Sequence, residues 1–190
     1  MACTALTKGR GLDCNRISGG VKKIFFSVFD EDVSYTYDAT NKLEIDAIDW
    51  NGSTIYEYVM PLGVASITDT ITGSRENGTI FYTPTVNIML NKLTKEDQNE
   101  IKLLGKSKVR IFAELNETLT NGHNVFIALG MSNGMELNAG TMDSGAAWGD
   151  RNGYTLTFDG MEVTPFAMLE DYTTAPFDNA AFTMGTIVTS

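Results

Sequence analysis

The stretch Asn77-Gly-Thr-Ile-Phe-Tyr-Thr-Pro-Thr-Val-Asn-Ile-Met-Leu90 decides the fold class. Ile80, Tyr82, Pro84, Val86, Ile88 and Leu90 share one parity, and Thr83, Thr85 and Asn87 the other. That two-residue period is the pleat of a strand with one apolar face, not the 3.6-residue period of a helix. The Asn-Gly pair ahead of it tolerates the positive φ that a tight turn demands. Pro84 has no N–H to give to a ladder, which predicts an edge position or a bulge there.

Working outward, the same turn chemistry recurs at Asn51-Gly52, Asn121-Gly122, Asn133-Gly134, Asn152-Gly153 and Asp159-Gly160. Between these pairs lie runs of β-branched and aromatic residues: 21–29, 43–50, 54–60, 108–115, 124–129, 154–158 and 161–169. In 108–115, Val109, Ile111, Ala113 and Leu115 alternate with Arg110 and Glu114. Runs of this length separated by turn signals predict a mainly antiparallel β-sandwich or barrel, strung as a meander of hairpins.

One helix interrupts the strands. Thr94-Lys-Glu-Asp97 reads as a capping box, and the spacing predicts a short flanking helix over 95–105. Glu96, Asp97 and Glu100 sit where its dipole favours anions, and Lys102 and Lys106 where it favours cations. Gly105 is positioned to stop it.

The chain has 190 residues, enough for one domain with a substantial core. We read residues 1–169 as that domain, with an N-terminal segment 1–20, and residues 170–190 as a C-terminal arm. Two stretches do not read as strands, 61–79 and 170–190. Both carry apolar side chains: Val64, Ile67 and Ile71 in the first, Phe177, Phe182 and Ile187 in the second. Apolar residues in a long connection or a terminal arm need a surface to cover them, and these six are expected to lie between subunits.

Lys and Arg number 14 against 24 Asp and Glu, a net charge of −10. The sum hides a segregation: residues 1–23 carry +4, 24–91 carry −8, 92–110 carry +3 and 111–190 carry −9. Phosphate binding runs on Lys and Arg, so a chain this acidic is not expected to grip nucleic acid. No apolar run approaches the ~20 residues of a membrane helix. The N-terminus has no apolar stretch behind its positive charges, so no secretory leader and no membrane partner are expected.

Little points to catalysis. His123, the single histidine, lies in Asn121-Gly-His-Asn124 and is expected to be a solvated turn residue. Cys3 and Cys14 are the only cysteines; reduced thiols are the expectation, with a bond closing the segment 3–14 as the alternative. Asp30-Glu-Asp32 lacks the spacing of a defined cation loop. Asp143 and Asp150 could form a carboxylate pair for glycoside hydrolysis, but stacking aromatics beyond Trp148 are missing. No enzyme activity, cofactor or metal is expected.

Three stretches carry a family resemblance. They are the opening Met-Ala-Cys3, Leu-Asp-Cys14 and Gly-Gly-Val-Lys-Lys-Ile24; the strand-then-helix centre over 77–104; and Leu129-Gly-Met-Ser-Asn-Gly-Met-Glu-Leu137 with Gly149-Asp-Arg-Asn-Gly-Tyr-Thr-Leu-Thr-Phe-Asp-Gly160. Over about residues 1–168 the sequence resembles the tail tube, or major tail, proteins of tailed bacteriophages, of the kind found in phages of Bacteroidetes-type hosts. From 170 onward it departs from that pattern.

The resemblance implies a virion structural protein with a β-sandwich and one flanking helix. It implies hexameric rings, assembled in the host cytoplasm, that stack into the tail tube through which DNA is ejected. Its partners would be further copies of itself and other tail or neck proteins, with DNA passing unbound. A conduit lined by carboxylates would repel phosphate. Two alternatives stand beside this: a head-decoration, connector or tail-terminator protein of the same fold, or a receptor- or carbohydrate-binding module. The last would need an exposed aromatic cluster, for which Trp50, Tyr56, Tyr58 and Trp148 are the candidates.

Overall fold

The computed structural model describes residues 9–10, 18–29, 33–119 and 121–189. Twelve strands and one helix follow in chain order: β1 (Val21–Val28), β2 (Ser34–Tyr37), β3 (Glu44–Asp49), β4 (Thr54–Val59), β5 (Ser66–Ser74), β6 (Thr79–Asn91), α1 (Lys95–Leu104), β7 (Val109–Thr118), β8 (Asn124–Leu129), β9 (Glu136–Asp143), β10 (Gly153–Asp159), β11 (Ala167–Leu169) and β12 (Thr186–Thr189). They form two sheets. One runs β12-β4-β1-β7-β8-β11-β3-β2 and the other β5-β6-β10-β9. The protein is a β-sandwich with one short helix, and its strands do not close into a barrel.

The first core lies between the sheets. Ile24, Phe26, Ile111, Ile127 and Leu129 of the large sheet meet Val86, Ile88, Tyr154, Leu156 and Phe158 of the small one. The second core lies on the opposite face of the large sheet, where Phe25, Phe112, Phe126 and Ala128 meet Ile45, Ile48, Trp50 and Ile55. Connectivity explains it. In a flat sheet, β3 and β4 would stand five interstrand spacings apart, about 24 Å. Asp49 and Thr54 are only five residues apart, a reach of at most ~18 Å. The sheet must therefore curl until β3 approaches β4, and the curl wraps the second core. Thr183 fastens the seam: its N–H donates to the Ile48 carbonyl (2.9 Å), and its Oγ1 accepts from the Trp50 N–H (3.0 Å).

Burial on both faces accounts for sequence runs that alternation alone cannot read. In β1, Ile24-Phe-Phe-Ser27 is entirely buried, and so is Val109–Glu114 of β7. Arg110 and Glu114, which alternate with the apolar set of this strand, are inside as well. Arg110 lies 4.3 Å over the Phe29 ring, and Glu114 accepts from Lys22 Nζ at 2.9 Å.

The structure corrects three expectations. Residues 61–79 are not an unstructured connection, because β5 pairs with β6 along its whole length, from Ser66 opposite Asn87 to Ser74 opposite Thr79. The stretch 170–190 is not a separate arm. Phe177 and Phe182 fill the second core at 3% and 5% exposure, and β12 adds a parallel strand to β4. The topology is not a meander. Asn77-Gly78, Asn121-Gly122 and Asn152-Gly153 lie in or at the ends of hairpin loops, but Asn51-Gly52 joins strands that do not pair. Asn133-Gly134 carries the chain from one sheet to the other, and Asp159-Gly160 straddles the end of β10, which no hairpin follows.

Gly153 is needed for a different reason, since a Cβ there would stand 2.0 Å from the Leu90 carbonyl oxygen. Pro84 lies in a central strand, where the β10 ladder has ended. Its carbonyl still accepts from Gly160 N–H (3.2 Å), and it owes no N–H there.

The helix forms as its caps dictate. Thr94 Oγ1 accepts from the Asp97 N–H (3.0 Å), and Tyr154 donates its hydroxyl to the Thr94 carbonyl, tying the helix to β10. Gly105 ends it at φ −69°, so the left-handed freedom of glycine is not used.

Candidate subunit-assembly surface

The small sheet presents one face to the first core and the other to solvent. Ser66, Thr68, Thr70, Thr72 and Ser74 of β5 point outward, beside Thr79, Phe81, Thr83, Thr85, Asn87 and Met89 of β6. From β10 come Thr155, Thr157 and Asp159, and from β9 Glu136, Ala139, Thr141 and Asp143. The four strands contain no Lys, Arg or His. Their carboxylates Glu136, Asp143 and Asp159 sit near the strand ends. Asp69 has the inward parity and accepts from the Phe166 N–H at 3.0 Å. The face is therefore hydroxyl-rich with acidic margins, and Arg151, just ahead of β10, reaches onto it and donates to Thr155 Oγ1. Reading 61–79 as a connection missed the β5 half, and the signal that could have found it is Ser66, Thr68, Thr70, Thr72, Ser74, an alternation of small polar residues.

Among the described residues both outer strands of this sheet are open: β5 pairs only with β6, and β9 only with β10. Unpaired edges with free N–H and C=O groups are templates for another strand. All three pairings are antiparallel, so β5 and β9 run in opposite directions. A β9 laid along the β5 of another copy would continue the same antiparallel ladder. β9 carries one irregularity, an extra residue at Asn138, whose amide donates to Asp159 (2.6 Å). Beyond Thr85 the β5–β6 hairpin outruns β10, leaving Ile71 and Ile80 65% and 61% exposed on the parity that is buried further along.

The six residues expected between subunits divide. Ile71 is exposed. Val64 and Ile67 are half-buried against the first core, and Ile187 against the second. Phe177 and Phe182 are buried within their own chain and are not available to a neighbour. Covering them takes the second core, which exists only because the large sheet curls.

The groups weighed for catalysis have other partners. Asp143 Oδ1 accepts from Gly145 N–H (2.9 Å), and Asp150 Oδ2 from Ala146 and Ala147 N–H (3.0 and 2.7 Å). Those two backbone donors hold Asp150 below the usual carboxylate range. Both aspartates shape the β9–β10 loop. His123 is not a free turn residue: its ring stacks on Tyr172 at 4.7 Å, with Nδ1 3.5 Å from Asp171. Cys3, Cys14 and Asp30-Glu-Asp32 lie outside the described residues. The aromatic candidates do not gather, since Trp50 is in the second core, Tyr56 and Tyr58 are on β4, and Trp148 is fully exposed on the β9–β10 loop.

A groove of about 770 Å³ opens beside the β7–β8 hairpin. Phe126, Phe166 and Leu169 line it, and Glu44, Glu170 and Asp171 stand on it against one base, Lys42. Burial, with Asp46 and Glu44 nearby, holds the Glu170 carboxyl above its usual range even though Asn179 donates to it. No family model, curated protein or solved structure matches this chain.

Proposed function

We propose that the chain is a structural subunit of a tailed-bacteriophage virion, forming hexameric rings that stack into the tail tube through which DNA is ejected. One observation carries the reading: a four-stranded sheet whose strands carry no basic residue, set between two edges of opposite direction that are open among the described residues. Edge-to-edge addition of that sheet is head-to-tail, and head-to-tail contacts close into rings when the rotation allows. Six copies would supply twenty-four strands. At a spacing of ~4.8 Å and a tilt of about 40°, these wrap a circle about 48 Å across at the backbone.

The curled large sheet would then lie outside and the Thr-rich face inside. A wall of hydroxyls and carboxylates, whose nearest guanidinium (Arg151) is engaged by the Thr155 hydroxyl and the Tyr154 carbonyl, offers phosphate little to release counterions against, so DNA slides past it. Other tail or neck proteins would meet the ends of the stack. Electron microscopy of negatively stained, purified protein tests this directly. Tubes or stacked rings are the expected result, and unstacked rings would select the connector or terminator reading. Monomers alone at every concentration would overturn the proposal.

A further inference from the structure

The acidic, apolar groove has an occupant suggested by the chain itself. Its rim exposes Leu43, Leu119 and Met168 at 40%, 41% and 51%, and its charged residues are acidic apart from Lys42. A segment that fills it must bring apolar side chains and positive charge together. Residues 1–17 do so, with Leu6 and Leu12 among Lys8, Arg10 and Arg16, against Asp13 alone.

The segment joins the fold beside the groove. Asn116 fixes that junction, its N–H donating to the Gly20 carbonyl (3.0 Å) and its side-chain amide to Gly19 (3.2 Å). Leu119 of the rim is three residues further along, ~10 Å away. Yet Gly9 and Arg10 stand exposed, and nothing lies within 4 Å of where a Cβ on Gly9 would be.

We propose that the groove receives residues 1–17 of a second copy, the arm's Lys and Arg facing Glu44, Glu170 and Asp171. Seventeen extended residues reach up to about 55 Å, enough to cross to a neighbouring subunit. The occupant is a second copy because of the self-assembly proposed above, but the test does not require rings to form.

A dye-labelled peptide of residues 1–17 is titrated with the full-length protein and followed by fluorescence anisotropy. Saturable binding is expected, at least tenfold weaker with Met168→Asp or Leu119→Asp, and weaker again in ~0.5 M salt, where surface charges are screened. Circular dichroism of the two rim variants should match the parent, since both side chains are exposed. No saturable binding, or binding indifferent to both substitutions, overturns the inference.

A second measurement separates neighbour from self. A Met168→Cys chain with Cys3→Ser and Cys14→Ser is mixed with a size-tagged native chain under mild oxidation. A disulfide band of hybrid size is expected, and its absence overturns the inference. Rings under the microscope with no peptide binding would leave the assembly reading standing and remove this one. Peptide binding without rings would do the reverse.

Discussion

Replacing Phe177 tests whether the C-terminal stretch belongs to the core of its own chain. The ring is 3% exposed and meets Phe25, Trp50, Phe112 and Phe126 at centroid distances of 5.2, 5.5, 5.5 and 5.6 Å, mostly edge to face. Truncating a buried Phe to Ala costs about 3–5 kcal/mol, and four aromatic contacts place this site toward the upper end.

The backbone adds a second, opposite term. Phe177 has φ +64°, a left-handed conformation that costs a residue with a Cβ about 1–2 kcal/mol and glycine little. Phe177→Gly should therefore be about 1 kcal/mol less destabilising than Phe177→Ala, although it removes more atoms. Urea unfolding followed by circular dichroism gives both numbers, with the midpoint falling and the slope unchanged. At this chain length the Ala variant should melt roughly 6–20 °C lower. A loss below about 1 kcal/mol for Phe177→Ala would refute the reasoning and return residues 170–190 to the status of an arm. Deleting 172–190 removes Phe177, Phe182 and β12 together, and should leave a chain that unfolds or aggregates.

Thr70→Lys with Thr72→Lys places two cations on the outward face of the small sheet, where side chains are exposed. Stability should change by no more than about 0.5 kcal/mol. A gel-shift assay should show duplex DNA retained by the variant and not by the parent, the retention fading with salt; parent-like behaviour would count against the proposed role of the face. For Asp178, burial pushes the carboxyl up, but backbone N–H groups of Thr173, Thr174 and Ala175 (2.7–2.8 Å) more than offset that and hold it below its usual value. Its contribution to stability is thus complete above the ordinary aspartate value near ~3.9 and is lost as pH falls through the lower folded value. Asp178→Asn should flatten that part of the melting-temperature profile, and an unchanged acid limb would refute the assignment.

Much of this protein was legible from local chemistry. Ile80 to Leu90 marks a strand because a pleat repeats every two residues, and Thr94 with Asp97 marks a helix start because orphan N–H groups need a cap. The absence of Lys and Arg from β5, β6, β9 and β10 was likewise written in the residues. What it meant was not, because four strands from separate parts of the chain share a face only once they pair. Alternation reports a strand wet on one side. It misleads at β7, where Arg110 and Glu114 are as buried as Ile111 and Phe112. The fate of Phe177 and Phe182 was beyond reach for the same reason. A terminal apolar residue looks unclaimed until a sheet forced to curl by one short β3–β4 connection creates the cavity that it fills.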